Sequence, residues 1–290
     1  MRTRIATTVT AAAVAAALMS PVLASAHTGD ASPFGPGNRA AGHSLISVGL
    51  TSDQRLVGFD VHKPSETWAL GKVSGLRGDT VLVGIDFRVQ NGKLYGVGEK
   101  GGVYTLSSSA KAVKVSQLTV ALQGKHFGVD FNPAADRLRV ISDTGQNLRH
   151  NVNSPATPTV VDGTLTNPTM PPSTALGVTG AAYTNNDLSA ATATSLFDID
   201  TTNDRVSLQS PANAGTLAPT GNLGANAGPS AGFDIYYKAS DGSNRGFAAL
   251  STDGKQRFYK INILNGRADL VGAFPASRQV VDIALPLDQN

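Results

Sequence analysis

The chain has 290 residues with 24 basic and 21 acidic side chains, no cysteine, and aromatic residues at only 6%. Without cysteine it can build no disulfide, no thiolate metal site and no thiol nucleophile, and it cannot carry a lipidated N-terminal cysteine. The balanced charge excludes the broad basic footprint of a nucleic-acid or anionic-membrane binder. Arg2 and Arg4 sit in the leading segment, and beyond it 22 basic residues face 21 acidic ones.

Residues 1–26 read as an export signal. Arg2 and Arg4 supply a positive start, Ile5 to Leu18 form an apolar, alanine-rich run, and Ala24-Ser25-Ala26 ends it with small residues. That order predicts cleavage after Ala26. The apolar run is shorter than the roughly 18–20 residues that cross a bilayer, so it is not read as a span. Residues 27–43, HTGDASPFGPGNRAAGH, are rich in Gly, Pro and small residues and are expected to be disordered. A single domain is expected over residues 44–290.

That domain opens with SLISVGL (Ser44–Leu50), a turn, RLVGFD (Arg55–Asp60) and TWALGKV (Thr67–Val73). Four phrases follow, each of four short strand-like pieces. The first strands of these phrases are VLVGIDF (Val81–Phe87), HFGVDF (His126–Phe131), GVTGAAY (Gly177–Tyr183) and SAGFDIYY (Ser230–Tyr237). Their glycines, Gly84, Gly128, Gly180 and Gly232, are 44, 52 and 52 residues apart. A strand-only repeat of this length predicts a β-propeller. Within each phrase the second and third strands meet at a short Asp/Asn/Gly turn, as tight hairpins require. The opening unit lacks a first strand, and QVVDIALPL (Gln279–Leu287) supplies a spare one at the other end. The expected fold is therefore all-β, with five four-stranded blades and a ring closed by the C-terminal strand, which leaves no free sheet edge.

The phrases LVGIDFRVQNGKLYGVG, FGVDFNPAADRLRVISDTGQNLRHN, GVTGAAYTNN and ADLVGAF resemble the secreted bacterial proteins grouped as domain of unknown function 4394. The resemblance runs from about Leu45 to Leu287. It implies an exported, propeller-like protein with no established activity or catalytic residues. The chain departs from the usual pattern at Phe197-Asp198 and in the insert Ser189–Ala193.

Three groups of polar residues are candidate sites. The third phrase places Arg139 opposite Arg149 if its hairpin turns at Asp143–Gly145, on one face with Arg137 and Asn147. Two facing arginines repel unless something negative lies between them. Either they clamp an external anion, or they belong to an internal network with Asp130, Asp136 and Asp143. The second group is Asp86, Asp130 and Asp234, each two residues after its glycine, with Ala182 at that position in the fourth phrase. First strands line the channel, so these three carboxylates could converge on a cation; otherwise each caps backbone N–H groups at its strand. The third, Asp198, Asp200, Asn203 and Asp204, resembles a calcium loop but lacks its glycine and terminal glutamate.

The five histidines are scattered and form no metal-ligand cluster, and there is no nucleophile elbow, phosphate loop or dinucleotide fingerprint. No metal site and no cofactor are expected. The resulting expectation is a secreted, monomeric, non-enzymatic propeller that binds an extracellular ligand or protein partner through one face, with no nucleic acid and no membrane span. The alternative is an extracellular hydrolase, glycan-active or metal-assisted, that uses channel-facing carboxylates. Fold alone does not choose between them.

Overall fold

The computed structural model describes residue 34, residues 44–154 and residues 156–289. The expected export signal lies outside the described residues, as does all of residues 27–43 except Phe34.

Short β-rich segments broken by Asp, Asn and Gly leave little choice but antiparallel hairpins, and the described residues form them throughout. The only exception is one 3-10 turn at Ala212–Ala214. Three strands come first: β1 (Ile46–Thr51), β2 (Arg55–Asp60) and β3 (Trp68–Lys72). The second blade is β4 (Leu82–Arg88), β5 (Lys93–Gly98), β6 (Gly102–Leu106) and β7 (Ala112–Gln117). The third is β8 (Phe127–Asn132), β9 (Arg137–Ser142), β10 (Asn147–His150) and the two-residue β11 (Val160–Val161). A small hairpin follows, β12 (Thr166–Asn167) with β13 (Ser173–Thr174). The fourth blade is β14 (Val178–Tyr183), β15 (Leu196–Asp200), β16 (Arg205–Gln209) and β17 (Leu217–Asn222). The fifth is β18 (Ala231–Lys238), β19 (Ser243–Thr252), β20 (Lys255–Ile261) and β21 (Ala268–Ala273).

The last strand, β22 (Val280–Ala284), pairs with β1 and gives the first blade the order β22-β1-β2-β3. The five four-stranded sheets form a five-bladed propeller, as the repeat spacing predicts. Its innermost strands make a closed ring: β4 touches β22 and β8, β14 lies between β8 and β18, and β18 returns to β22.

The anchoring glycines sit where these inner strands approach most closely. A methyl on Gly128 would lie 2.7 Å from the Ala181 backbone nitrogen, and one on Gly180 would lie 2.9 Å from the Phe233 Cβ. At Gly84 it would strike Val129, and at Gly232 the Asp282 backbone. The glycine repeat is therefore set by contact with the next blade. Larger side chains fill the space further out, where buried clusters join blade to blade.

Three details differ from the sequence reading. The fourth strand of the third blade is only two residues long, and the β12–β13 hairpin after it was not foreseen. Phe34, inside the stretch expected to be disordered, is 5% exposed and packs edge-on against Phe87 at 5.3 Å. It is the one aromatic residue of that stretch and joins the cluster between the first two blades.

Polar contacts also join blades. His150 on β10 is buried and sits between the Ser116 hydroxyl on β7 (2.7 Å) and Thr159 (3.1 Å). Burial lowers its basicity below the ordinary value of 6.5. A group depressed in the folded state contributes stability that is whole above its unfolded pKa and is lost as pH falls below it. The contribution of this one residue to stability is therefore expected to decline from pH 7.5 to pH 5, by at most about 1.4 kcal/mol per pH unit. It is read as the difference between the unfolding profiles of the wild type and His150→Gln, because buried acids such as Asp234, raised to about 6, act in the opposite direction. Profiles with the same pH dependence for both proteins would remove His150 as a source.

Deleting residues 279–290 takes away β22 and its buried Val280, Ile283 and Ala284. The expected result is an edge exposed on β1 and either aggregation or a fall in melting temperature of more than about 10 °C. A monomeric truncated chain that melts with the full one would show that closure is not needed.

Candidate functional site

The closest gathering of ionisable groups lies on the ring axis. Asp86 on β4, Asp130 on β8 and Asp234 on β18 occupy equivalent positions, and each offers a carboxylate oxygen within 4.8 Å of the others. Their exposures are 4%, 1% and 3%. Asp86 accepts the N–H of Phe87 at 2.6 Å and that of Phe131, in the next blade, at 2.7 Å. Asp234 repeats the pattern with Ile235 and Leu285, both at 2.6 Å. Asp130 faces the Tyr183 N–H on β14, and its Oδ1 has no hydrogen-bond partner.

Asp282 adds a fourth acid that the sequence reading passed over. Its register opposite Leu50 makes it the counterpart of Gly84, not of Asp86. From there its Oδ2 accepts the Ile85 N–H at 2.7 Å. Ala182 and Ala284 hold the two remaining equivalents of Asp86. The aspartates thus perform the backbone capping that is one of the two roles their spacing suggests, and they cap across blades as well as along their own strands.

Electrostatically the cluster is costly. Burial is the main cause that pushes Asp86, Asp130 and Asp282 well above the usual carboxylate range. The charge of Asp234 adds to this for Asp86, and that of Asp86 for Asp130. Asp234 is raised to about 6 by burial, against the pull of the Leu285 and Ile235 N–H groups. Among the described residues no Lys, Arg or His forms an ion pair with any of the four.

The third blade carries a second centre. Arg139 lies opposite Arg149, as the hairpin register predicts, and the negative group between them is Asp162. Arg139 Nη1 donates to Asp162 at 2.6 Å and to Asn147 at 2.7 Å, while Nη2 reaches Asn213 at 2.7 Å and Nε the Tyr183 hydroxyl at 3.2 Å. Arg149 reaches both Asp162 oxygens at 3.1 Å. Arg139 is 1% exposed, and its partners span the third and fourth blades.

The other residues named with this face are elsewhere. Arg137 donates to the Ala135 and Asp136 carbonyls. The Asp136 carboxylate takes a forked bond from Arg88 of the second blade and another from Asn153. Asp143 accepts the Lys125 N–H at 3.0 Å. Asp162 and Asn213 were not foreseen, since they lie 13 and 64 residues beyond Arg149 and no sequence spacing ties them to it.

In the loop that resembles a calcium ligand set, Asp200 caps its own turn through Thr202 and Asn203 and pairs with Arg205. Asp204 accepts the Ala227 N–H. Asp198 is fully buried, and neither of its oxygens has a partner. Two clefts among the described residues are small and open: one of about 270 Å³ between Arg55, Ala69 and Arg278, and one of about 310 Å³ beside Asn203 and Asn226. Among the described residues no helix is long and apolar enough to cross a membrane.

The chain belongs to the family described as domain of unknown function (DUF4394), whose model matches residues 55–284. A comparison with curated proteins gives no match. Among solved structures, a structural genomics protein of unknown function from Bacteroides thetaiotaomicron VPI-5482 is similar at 15% identity and a TM-score of 0.49, over 87% of this chain and 66% of that one. An auxiliary nutrient binding protein from Bacteroides ovatus ATCC 8483 is similar at 11% identity and a TM-score of 0.41, over 69% of this chain and 55% of that one. Another from Bacteroides thetaiotaomicron VPI-5482 gives 10% and 0.39, over 85% and 50%. The chain therefore spans between half and two thirds of the length of these structures.

The two arginines have different weights. Arg139→Ala removes the buried partner of Asp162, leaves it only the partly exposed Arg149, and takes the donor from Asn147, Asn213 and Tyr183. It is expected to cost on the order of 3 kcal/mol in denaturant unfolding. Arg149 is one-third exposed at its side chain, so Arg149→Ala should cost about 1 kcal/mol or less. If Arg139→Ala instead left stability unchanged while abolishing a phosphate- or citrate-dependent rise in melting temperature, the pair would be an external anion clamp.

Proposed function

We propose that this protein is an exported, non-catalytic propeller that binds a ligand or protein partner through the face carrying the β12–β13 hairpin. One observation carries the reading. The acids that would have to do chemistry in the channel are buried and turned onto backbone N–H groups, two of them with both oxygens so engaged. They hold the ring together and present no open carboxylate pair to a substrate.

Binding then falls to the surface. The blades repeat one plan, and the hairpin is an element the other blades lack. In repeat folds such insertions gather on one face, often the binding face. The hairpin's connection holds Met170, 95% exposed, and Leu176 follows it at 56%. Exposed apolar side chains on a projecting loop favour a partner with an apolar or sugar-ring surface.

The test uses protein recovered from culture medium. Its N-terminus is expected at His27, and retention of Met1 would remove export from the proposal. On a glycan array and a panel of surface proteins, wild type should bind where a chain with residues 168–172 replaced by Gly and Ser does not. Wild type should turn over no glycoside, ester or peptide in a chromogenic panel. Turnover that disappears in Asp130→Asn at an unchanged melting temperature would establish the hydrolase alternative in its place.

A further inference from the structure

We propose that the centre of the ring holds one divalent cation of the calcium class, ligated by Asp86, Asp130 and Asp234. The geometry suits it. Calcium–oxygen distances are about 2.3–2.6 Å, so oxygens sharing one ion lie at most about 4.6–5.2 Å apart. The three carboxylates bring oxygens from three different blades within 4.8 Å of one another.

A second observation points to a ligand. Asp130 Oδ1 is buried, belongs to a side chain 1% exposed, and has no hydrogen-bond partner, whereas Asp86 and Asp234 have both oxygens engaged by N–H groups. An oxygen left bare in a water-poor interior costs about 1–3 kcal/mol, and more if charged. No protein cation meets it among the described residues. Capping accounts for four junctions between inner strands, since Asp282 bridges to Ile85 from the strand that carries Ala284, but it gives no partner to Asp130 Oδ1. One divalent ion would offset two of the four negative charges that Asp86, Asp130, Asp234 and Asp282 carry when ionised.

The donor set selects the ion. Carboxylate oxygens without imidazole or thiolate favour hard cations over zinc or copper. Magnesium demands a near-ideal octahedron at about 2.0–2.1 Å, whereas calcium accepts irregular sets of carboxylate and other oxygens at about 2.3–2.6 Å. The burial of the three acids means that the ion enters during folding, when the inner strands come together, and leaves only when they part.

Refolding is therefore the test. Protein unfolded in guanidinium with a chelator is refolded into buffer containing calcium, magnesium or chelator, passed over a desalting column, and analysed for metal content and melting temperature. About one calcium per chain is expected after calcium refolding, with a melting temperature at least about 5 °C above that of the chelator-refolded protein. Asp130→Asn should lose both. Equal melting temperatures in all three buffers with no retained metal would overturn the proposal, as would retained magnesium with no calcium. An Asp130→Asn protein as stable as the wild type or more so would also overturn it, because it would mean that the acids relieve their repulsion by sharing protons. Metal content of the wild type decides the question even where that variant does not fold.

Discussion

Five strands cannot meet around one axis unless their side chains get out of the way. That crowding governs the rest of the molecule. It places glycine at 84, 128, 180 and 232, where a Cβ would enter the neighbouring inner strand. It also brings polar backbone of separate sheets close together in a buried place. An inner strand gives its ladder hydrogen bonds to its own blade on one side only, so N–H groups on the axis side need other acceptors. Asp86, Asp234 and Asp282 supply them by reaching from one blade to Phe131, Leu285 and Ile85 of the next. The same short side chain is small enough for the axis and polar enough to bridge it.

This solution gathers negative charge in the least favourable place. Desolvation and the charge of neighbouring acids act together on Asp86, Asp130 and Asp282, and burial alone raises Asp234. The N–H groups that favour the ionised forms do not offset this. Further from the axis the blades use paired charge. Arg88 of the second blade grips Asp136 of the third, and Arg139 of the third reaches Asn213 of the fourth while holding Asp162. Gln54 makes two reciprocal bonds with the Leu82 backbone, and Arg278 ties the return strand's approach to Thr67. Packing therefore specifies the blades, while polar side chains specify which blade neighbours which.

What the sequence made legible follows from the same physics. Contacts local to one hairpin have a fixed period, so the opposition of Arg139 and Arg149 could be read from a turn and an alternation. The glycine and aspartate repeats were legible because each blade solves the same crowding problem in the same place. Contacts between blades have no such period. Asp162 meets Arg139 from a segment whose fourth strand shrinks to two residues, which erases the alternation that would have placed it. Asp282 belongs to the ring but sits one ladder step away from the repeated position, on the strand that the chain contributes last. Phe34 is buried although it comes from a Gly- and Pro-rich stretch whose composition gives no sign of a core residue.

The departures from the repeat divide into two kinds. Those on the axis, Ala182, Ala284 and Asp282, change how the inner strands are bridged and stay inside the ring. Those outside it, the shortened β11 and the added β12–β13 hairpin, change what the molecule presents to its surroundings. A substrate could reach the axial carboxylates only if inner strands separated, and that would break the N–H bridges these carboxylates make. Closure of the ring and solvent access to its acids are thus mutually exclusive in this fold. The axial acids bridge the inner strands, and the blades differ most outside the ring.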